Sequence, residues 1–583
     1  GTIRFSLPSG VIVTSIYTGT VAGGVSGGSS DKNFVLAATT AGFGVTGGVS
    51  NSGFVDMTLS GSATTEAAAT VASFVLNGSG TYSGKITQFQ QVGSGSMSVF
   101  AGGVYGSAVS LTLSNTASDF TGRLSVIRGA TLATPMFGMA GSPSPLGSAG
   151  AIGLSSNSAD TGGSTLRFTG ASESSDKTFV LSYTTGNATL DTGTGTLVLT
   201  NTAAWTTSGA GAKTVVLTGG GAGSLAASLT NTTTGTGGAN GLTKSGTGSW
   251  TLSGANTYTG ATAIQAGTLT FAKRTSLYSG SAANWTQALI NTSTNGTATL
   301  GLGVGGADGF TNADVTTLLG NLGTGTVSVG GMRATSSWGF DTTNTGSTFT
   351  INDTIANTTT GGGAIGVAKL GSGTLALGGD NTFTYGTRID AGTLLLGHVN
   401  ALGTGTAFVR INGGTLDMGG LTITRSGSVS ATAGGLTNGV LAGTSGLTKT
   451  GTGTFAITTG SSTFTGATNI QEGVVEVAVL SGSGVASPLG APTTNATINL
   501  GNAATSGTFR YVGTSTGSTN RTFNLAGTTG GGGIDASGAG ALTITNLTAS
   551  GSGSKTLTLT GTSTAANSIG LIPVGTSGSV SVV

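Results

Sequence analysis

The sequence has no cysteine, one histidine and seven prolines, and Asp, Glu, Lys and Arg make up only 7% of its 583 residues. An average globular domain carries roughly 25% charged residues. Without cysteine there are no disulfides and no thiolate metal ligands, so the fold is indifferent to the redox compartment. A single histidine, His398, excludes any mechanism built on a histidine pair and any histidine-rich zinc site. So few prolines exclude a collagen-like or polyproline chain. No apolar run approaches the ~20 residues of a membrane-spanning helix, so no membrane insertion of this segment is expected. Twenty basic against eighteen acidic residues give a net charge of +2, which leaves no electrostatic footprint for nucleic acid. The chain opens on Gly1 without a signal-peptide pattern, and a leader is expected to have been removed or to lie outside this segment.

What the chain does have is 111 glycines, abundant Thr and Ser, and a hydrophobic share of 36%. Its mean hydropathy of +0.26 is far from that of a solvated, disordered chain. Low charge with many β-branched residues points to extensive strand pairing rather than to a globular core.

Internal repetition decides the architecture. The stretch GLTKSGTGSWTLSGANTYTGATAIQAGTLTF begins at Gly241 and returns as GVAKLGSGTLALGGDNTFTYGTRIDAGTLLL at Gly366. It returns again as GLTKTGTGTFAITTGSSTFTGATNIQEGVVEV at Gly446. Lys244, Lys369 and Lys449 coincide, as do the glycines that follow them. A line of apolar residues is kept while its members vary: Trp250, Leu375 and Phe455; Leu252, Leu377 and Ile457; Tyr258, Phe383 and Phe464; Ile264, Ile389 and Ile470. This is unit B.

Unit A starts as GTIRF at Gly1, STLRF at Ser164 and GTFRY at Gly507, each leading to DKNFVL, DKTFVL or NRTFNL. It makes Arg4, Arg167 and Arg510 equivalent, Asp31 equivalent to Asp176, and Asp191 equivalent to Asp535. Stretches such as TLVLT and KTLTLT alternate apolar residues with Thr, the pattern of a half-buried strand. Such short strands cannot bury a face alone, but stacked on copies of themselves they share a narrow continuous core.

Unit B resembles the autotransporter-associated β-strand repeat, found in the passenger regions of type V secreted bacterial surface proteins. The residues that carry the resemblance are GLTKxGTGxxxLxGxNTYTGxTxIxxGTL from Gly241 to Leu269 and its two diverged copies. The resemblance implies a right-handed parallel β-helix, an extracellular location at the bacterial cell surface, and no cofactor. A complete autotransporter would end in a membrane barrel, and nothing after Leu571 resembles one. The chain is therefore expected to be a processed or excerpted passenger, or a relative exported without a barrel.

Catalytic motifs are weak. A Ser-His-Asp triad would need His398, which reads as a solvent-facing corner residue. GVSGG at Gly24–Gly28 satisfies G-x-S-x-G but precedes no helix, and Gly and Ser abundance produces such matches freely. No P-loop and no calcium nonapeptide occurs. Thr-x-Thr rows are too intermittent for an ice-binding face. The carboxylates Asp31, Asp176, Asp191 and Asp535 sit at equivalent repeat positions, whereas an active site breaks symmetry. These charges are expected to satisfy corner backbone groups or to pair across neighbouring coils.

One segment departs from the β pattern. FTNADVTTLLGNLG offers Thr311 as N-cap, Asp314 three residues later, and Val315, Leu318, Leu319 and Leu322 on one face, predicting a short covering helix near 311–322.

The expectation is thus an all-β chain, a right-handed parallel β-helix continuous over 1–583. Within it lie unit A with an insertion (1–162), unit A (163–240), unit B (241–271), spacer coils with the helix (272–365), unit B (366–397), linking coils (398–445), unit B (446–477), and linking coils with unit A (478–583). The expected function is structural and non-enzymatic: a rod-like subunit that assembles head to tail with copies of itself into a filament or matrix fibre. The alternatives are an adhesin passenger that binds glycan or a host surface and, less favoured, a β-helical polysaccharide-active enzyme. No catalytic, metal or cofactor residues are assigned. Neither end reads as a cap, so self-assembly is placed on the uncharged insertion residues Val11, Ile12, Val13, Ile16 and Tyr17 and on Val580, Val582 and Val583.

Overall fold

The computed structural model describes residues 110–583 except 128, 155–162, 183–185, 209, 233–236, 294–296, 324–329, 359–362, 495 and 571–577, and, between 1 and 109, the backbone of the strands. GVSGG, Val11 and Asp31 lie outside the described residues. The chain divides into two compact units, Gly1–Thr299 and Leu300–Val583.

In the first unit, short strands stack in parallel. One sheet carries Gly80–Tyr82, Ser110–Leu113, Thr131–Thr134, Ser164–Phe168, Gly186–Asp191, Lys213–Thr218, Gly241–Lys244, Thr262–Ile264 and Ile290–Thr292 in that order. Alternation puts every second residue inside, and the register aligns like with like. Leu111, Leu132, Leu166, Leu190 and Leu217 face one another on successive coils, each at most 1% exposed. Burying each leucine is worth about 1.5–3 kcal/mol, so a thin ladder suffices where every coil contributes one rung. The line drawn from unit B is this core: Trp250, Leu252, Tyr258, Ile264 and Leu269 are at most 1% exposed. After Phe271 the LYSGSAANW stretch forms 3-10 turns, Tyr278–Gly280 and Ala282–Asn284 among them, that carry Leu277, Tyr278 and Trp285 into the core.

Among the described strands, those at the start of the chain depart from the parallel rule. Thr2–Leu7 runs antiparallel to Lys32–Ala37 and to Asp56–Leu59, and Ile12–Thr18 runs antiparallel to Phe43–Gly48. Arg4 therefore faces Val35 and Thr58, whereas its unit-A equivalent Arg167 faces Asp191. Within the residues inserted between Arg4 and Asp31, Ile12–Thr18 forms a strand. Thr2–Leu7 and Lys32–Ala37 run in opposite directions, and strands so directed pair antiparallel.

The second unit repeats the design. One sheet runs from Ser337–Asp341 through Gly366–Leu370, Gly386–Ile389, Phe408–Ile411, Val429–Ala431, Leu447–Lys449 and Thr468–Ile470 to Ser568–Ile569. Another includes Phe349–Ile351, Thr374–Leu377, Thr393–Leu396, Thr415–Asp417 and Gly434–Thr437, where Phe349, Leu375, Leu394, Leu416 and Leu436 form the inward ladder. The apolar line of the second and third B copies is buried as in the first.

The helix forms as predicted, over Asn312–Gly323. The Asp314 amide donates to Thr311 Oγ1 at 3.2 Å, and Thr311 N and Oγ1 donate to Asp314 Oδ2 at 3.0 and 2.8 Å, a reciprocal cap. Val315, Leu318 and Leu322 are buried, and Leu319 is half-buried. Thr311→Ala is expected to cost about 1 kcal/mol, read as a lower melting temperature of the second unit.

Candidate functional site

The unit-B lysines occupy inward rungs of the ladder. Lys244 stands between Leu217 and Ile264 in register and is fully buried, as are Lys369 and Lys449. A lysine placed there must bring its own partners, because a buried unpaired ammonium is costly. Each bends into the coil corner. Lys244 Nζ donates to the carbonyls of Ser245, Gly246 and Ala266 at 2.6, 2.8 and 3.1 Å. Lys369 Nζ donates to Leu370, Gly371 and Ala391 at 2.8, 2.7 and 3.0 Å. Lys449 Nζ donates to Thr450, Gly451 and Glu472 at 2.7, 2.5 and 3.1 Å. Two acceptors lie on the lysine's own coil and one on the next, so the ammonium clips consecutive corners together. Gly267, Gly392 and Gly473 make room for it at φ of 66°, 63° and 70°. A Cβ on Gly267 would lie 2.2 Å from the Gly248 carbonyl oxygen and 2.8 Å from Lys244 Nζ. Burial lowers all three lysines to about 8; nearby acids oppose this at Lys369 and Lys449.

Unit A uses its charges the same way. Lys177 Nζ donates to the Gly147 and Ala149 carbonyls at 3.0 and 2.6 Å. Its equivalent Arg521 donates from Nε to Ala496 at 3.0 Å and from Nη1 to Leu489 at 2.8 Å. Asp176 accepts from the Ala140 amide at 2.6 Å. Arg510 Nε sits 2.7 Å from Asp535 Oδ2 on the neighbouring coil, and Arg167 Nε sits 3.5 Å from Asp191 Oδ2. The expectation that repeated charges serve corners and cross-coil pairs holds at each of these positions.

His398 Nδ1 accepts from the Asn400 amide at 3.2 Å and lies 3.8 Å from Asp380 Oδ1 at a partly exposed corner. Among the described residues no group of three or more His, Cys, Asp or Glu could hold a metal ion. No helix among them is long and apolar enough to cross a membrane.

The residues assigned to self-assembly fall in different units. Ile12, Val13, Ile16 and Tyr17 belong to Ile12–Thr18, the outermost strand of its sheet. Val580 and Val582 belong to Val580–Val582, outermost in another. Val582 and Val583 are 45% and 76% exposed.

One outward cluster was not singled out from the sequence. Gly260 and Gly466 of the outer B copies align with Tyr385, Ala261 and Ala467 with Gly386, Ala263 and Asn469 with Arg388, and Gln265 and Gln471 with Asp390. The next strand adds Phe408, Arg410 and Asn412, with Arg410 in register beside Arg388. The Tyr385 and Phe408 rings meet edge to face at 5.3 Å, and the Arg410 guanidinium lies 5.4 Å from the centroid of the Phe408 ring. Arg388 Nε is 2.8 Å from Asp390 Oδ2, and Asn412 Nδ2 donates to Asp390 Oδ1 at 2.7 Å. The signal was present in the aligned repeats, as the one copy that places large side chains at outward positions where the others keep small ones.

Comparison with known proteins agrees with this repeat structure. Residues 242–271, 367–396 and 447–477 match the passenger-associated-transport-repeat family. The chain is also similar to the adhesin BmaC autotransporter of Brucella suis biovar 1 (strain 1330), with 32% identity over 251 residues. That alignment covers 38% of this chain and 7% of the relative, so the chain spans a small part of the relative's length. No solved structure matches.

Proposed function

We propose, from the premise that this is a repeat chain of the autotransporter passenger type, secreted to the cell surface, that it acts there as an adhesive segment and not as an enzyme. The observation that carries this reading is the use of the repeated charges. Lys244, Lys369, Lys449, Lys177, Arg521, Asp176, Arg510 and Asp535 serve coil corners and neighbouring coils, leaving outward side chains to make contacts. The adhesin named among the relatives supports it further. Beads coated with the purified chain should adhere to host epithelial cells above albumin-coated beads, and free chain should compete. Adherence no greater than that of albumin beads would contradict the reading.

Head-to-tail assembly of copies is the finer proposal. It draws on the outermost strands Ile12–Thr18 and Val580–Val582, because the outer edge of a sheet is a template for another strand. Sedimentation across a concentration series tests it: growing species support assembly, and a constant monomer contradicts it.

A further inference from the structure

We propose that the outward cluster of Tyr385, Arg388, Phe408 and Arg410 is a binding site for an acidic polysaccharide, one that carries carboxylates on its sugar rings. The inference rests on the adhesive reading and names the ligand of one face.

The argument starts from what the fold does not need. In the first and third B copies the corresponding outward positions carry Gly, Ala, Asn and Gln, and those coils close the same way around Lys244 and Lys449. Nothing in the coil geometry requires Tyr385 or Arg388. Arg388 and Arg410 also stand side by side in register, and like charges on adjacent strands are destabilising. Arg388 is offset by Asp390. Arg410 is exposed and forms no ion pair among the described residues; its contact is the Phe408 ring. The cluster therefore keeps a net positive charge with an open guanidinium fork, the group best shaped to take a carboxylate through two parallel hydrogen bonds.

The backbone has been cleared for the Phe408 ring. Gly386 replaces the Ala of the other copies at φ of 137°, and a Cβ there would lie 2.8 Å from the Phe408 ring. The Phe408 ring thus rests over Gly386, and the two half-buried rings, set edge to face, stand as an aromatic platform on this face. Aromatic faces take the C–H faces of pyranose rings, and the Tyr385 hydroxyl and Asn412 amide provide polar groups at the margin. An aromatic platform beside an unpaired guanidinium matches a sugar ring that bears a carboxylate. An acidic peptide would use the charge and leave the platform idle.

The test measures retention of the full chain on immobilised polygalacturonate, with dextran and poly-aspartate as comparison matrices. The chain is expected to be held by polygalacturonate, to pass dextran, and to bind poly-aspartate at least tenfold more weakly. Arg410→Ala should weaken polygalacturonate binding at least tenfold, and Arg410→Lys should recover only part of it. Phe408→Leu should weaken it while the circular dichroism of the chain is kept. Gln265→Ala, on the first B copy, should change nothing. No retention on polygalacturonate, equal retention on poly-aspartate, or an Arg410→Ala chain that binds as well as the parent would overturn the proposal. Beads that still adhere to cells after any of those results would leave the adhesive reading standing; beads that fail as well would remove both.

Discussion

Leu252→Asp is expected to unfold the coils around it, whereas Thr251→Asp, one residue away, should leave them folded. Leu252 is fully buried between Leu225 and Phe271 on the adjoining coils. The substitution removes a leucine worth about 1.5–3 kcal/mol of burial and strands a carboxylate with no cation beside it, which costs several kcal/mol more. Thr251 is half-exposed on the opposite side of the same strand, where a charge stays in water. A solenoid is held by nearest-neighbour terms, so the damage should be regional. Limited proteolysis should cut Leu252→Asp between about residues 220 and 275 and leave distant coils resistant. Equal resistance of the two variants would mean that the inward line is not the core.

The second large effect is expected from Lys369→Met. The methionine keeps the length of the side chain but donates nothing, so the carbonyls of Leu370, Gly371 and Ala391 lose their shared donor. The Leu370 carbonyl keeps the Thr342 amide as a donor, whereas the Gly371 and Ala391 carbonyls lose their bond to Nζ, and a buried acceptor left unmade costs about 1–3 kcal/mol. The variant should melt well below the parent at pH 7. The parent itself should respond to alkali with a definite sign. Burial lowers the folded-state value of Lys244, Lys369 and Lys449 from 10.5 to about 8. Below pH 8 the lysines are charged both folded and unfolded, and the cost of burying the ammonium is present in full. Between about pH 8 and 10.5 the folded chain has released protons that the unfolded chain still holds, so the contribution of these groups to stability rises with pH. Unfolding measured at pH 7, 8.5 and 10 should show that rise, and a chain with all three lysines replaced by methionine should show less of it. A parent whose lysines contribute falling stability across that window would contradict the dominance of burial over the hydrogen bonds at these ammonium groups.

Much of this was legible in the sequence because the physics is local and repeated. Period-two alternation marked Trp250 and Leu252 as inward, and the recurrence of Lys244 at Lys369 and Lys449 showed a structural lysine before its acceptors were visible. Thr311 and Asp314 announced the helix, since a cap is written within four residues. What escaped was non-local. The antiparallel start depends on where the strand Ile12–Thr18 finds its partner, and short-range pattern carries no strand direction. The turns from Arg274 to Asn284 have no alternation to betray them, although Leu277, Tyr278 and Trp285 supply core. The aromatic and arginine cluster was overlooked because the copies were aligned for what they share. Phe408 and Arg410 join it only through the register of a strand outside the repeat.

The most direct test of the central claim, that this chain holds its ligand without cutting it, is the length distribution of an acidic polysaccharide after long incubation with the purified chain. Arg510, Asp535, Lys177 and Asp176 are engaged by the fold, and His398 stands at a corner between the Asn400 amide and Asp380. The account predicts that polygalacturonate is recovered at its original length, with no new reducing ends, from the parent chain and from Asp535→Asn alike. Progressive shortening by the parent, abolished by Asp535→Asn or His398→Ala in a chain that remains folded, would contradict it.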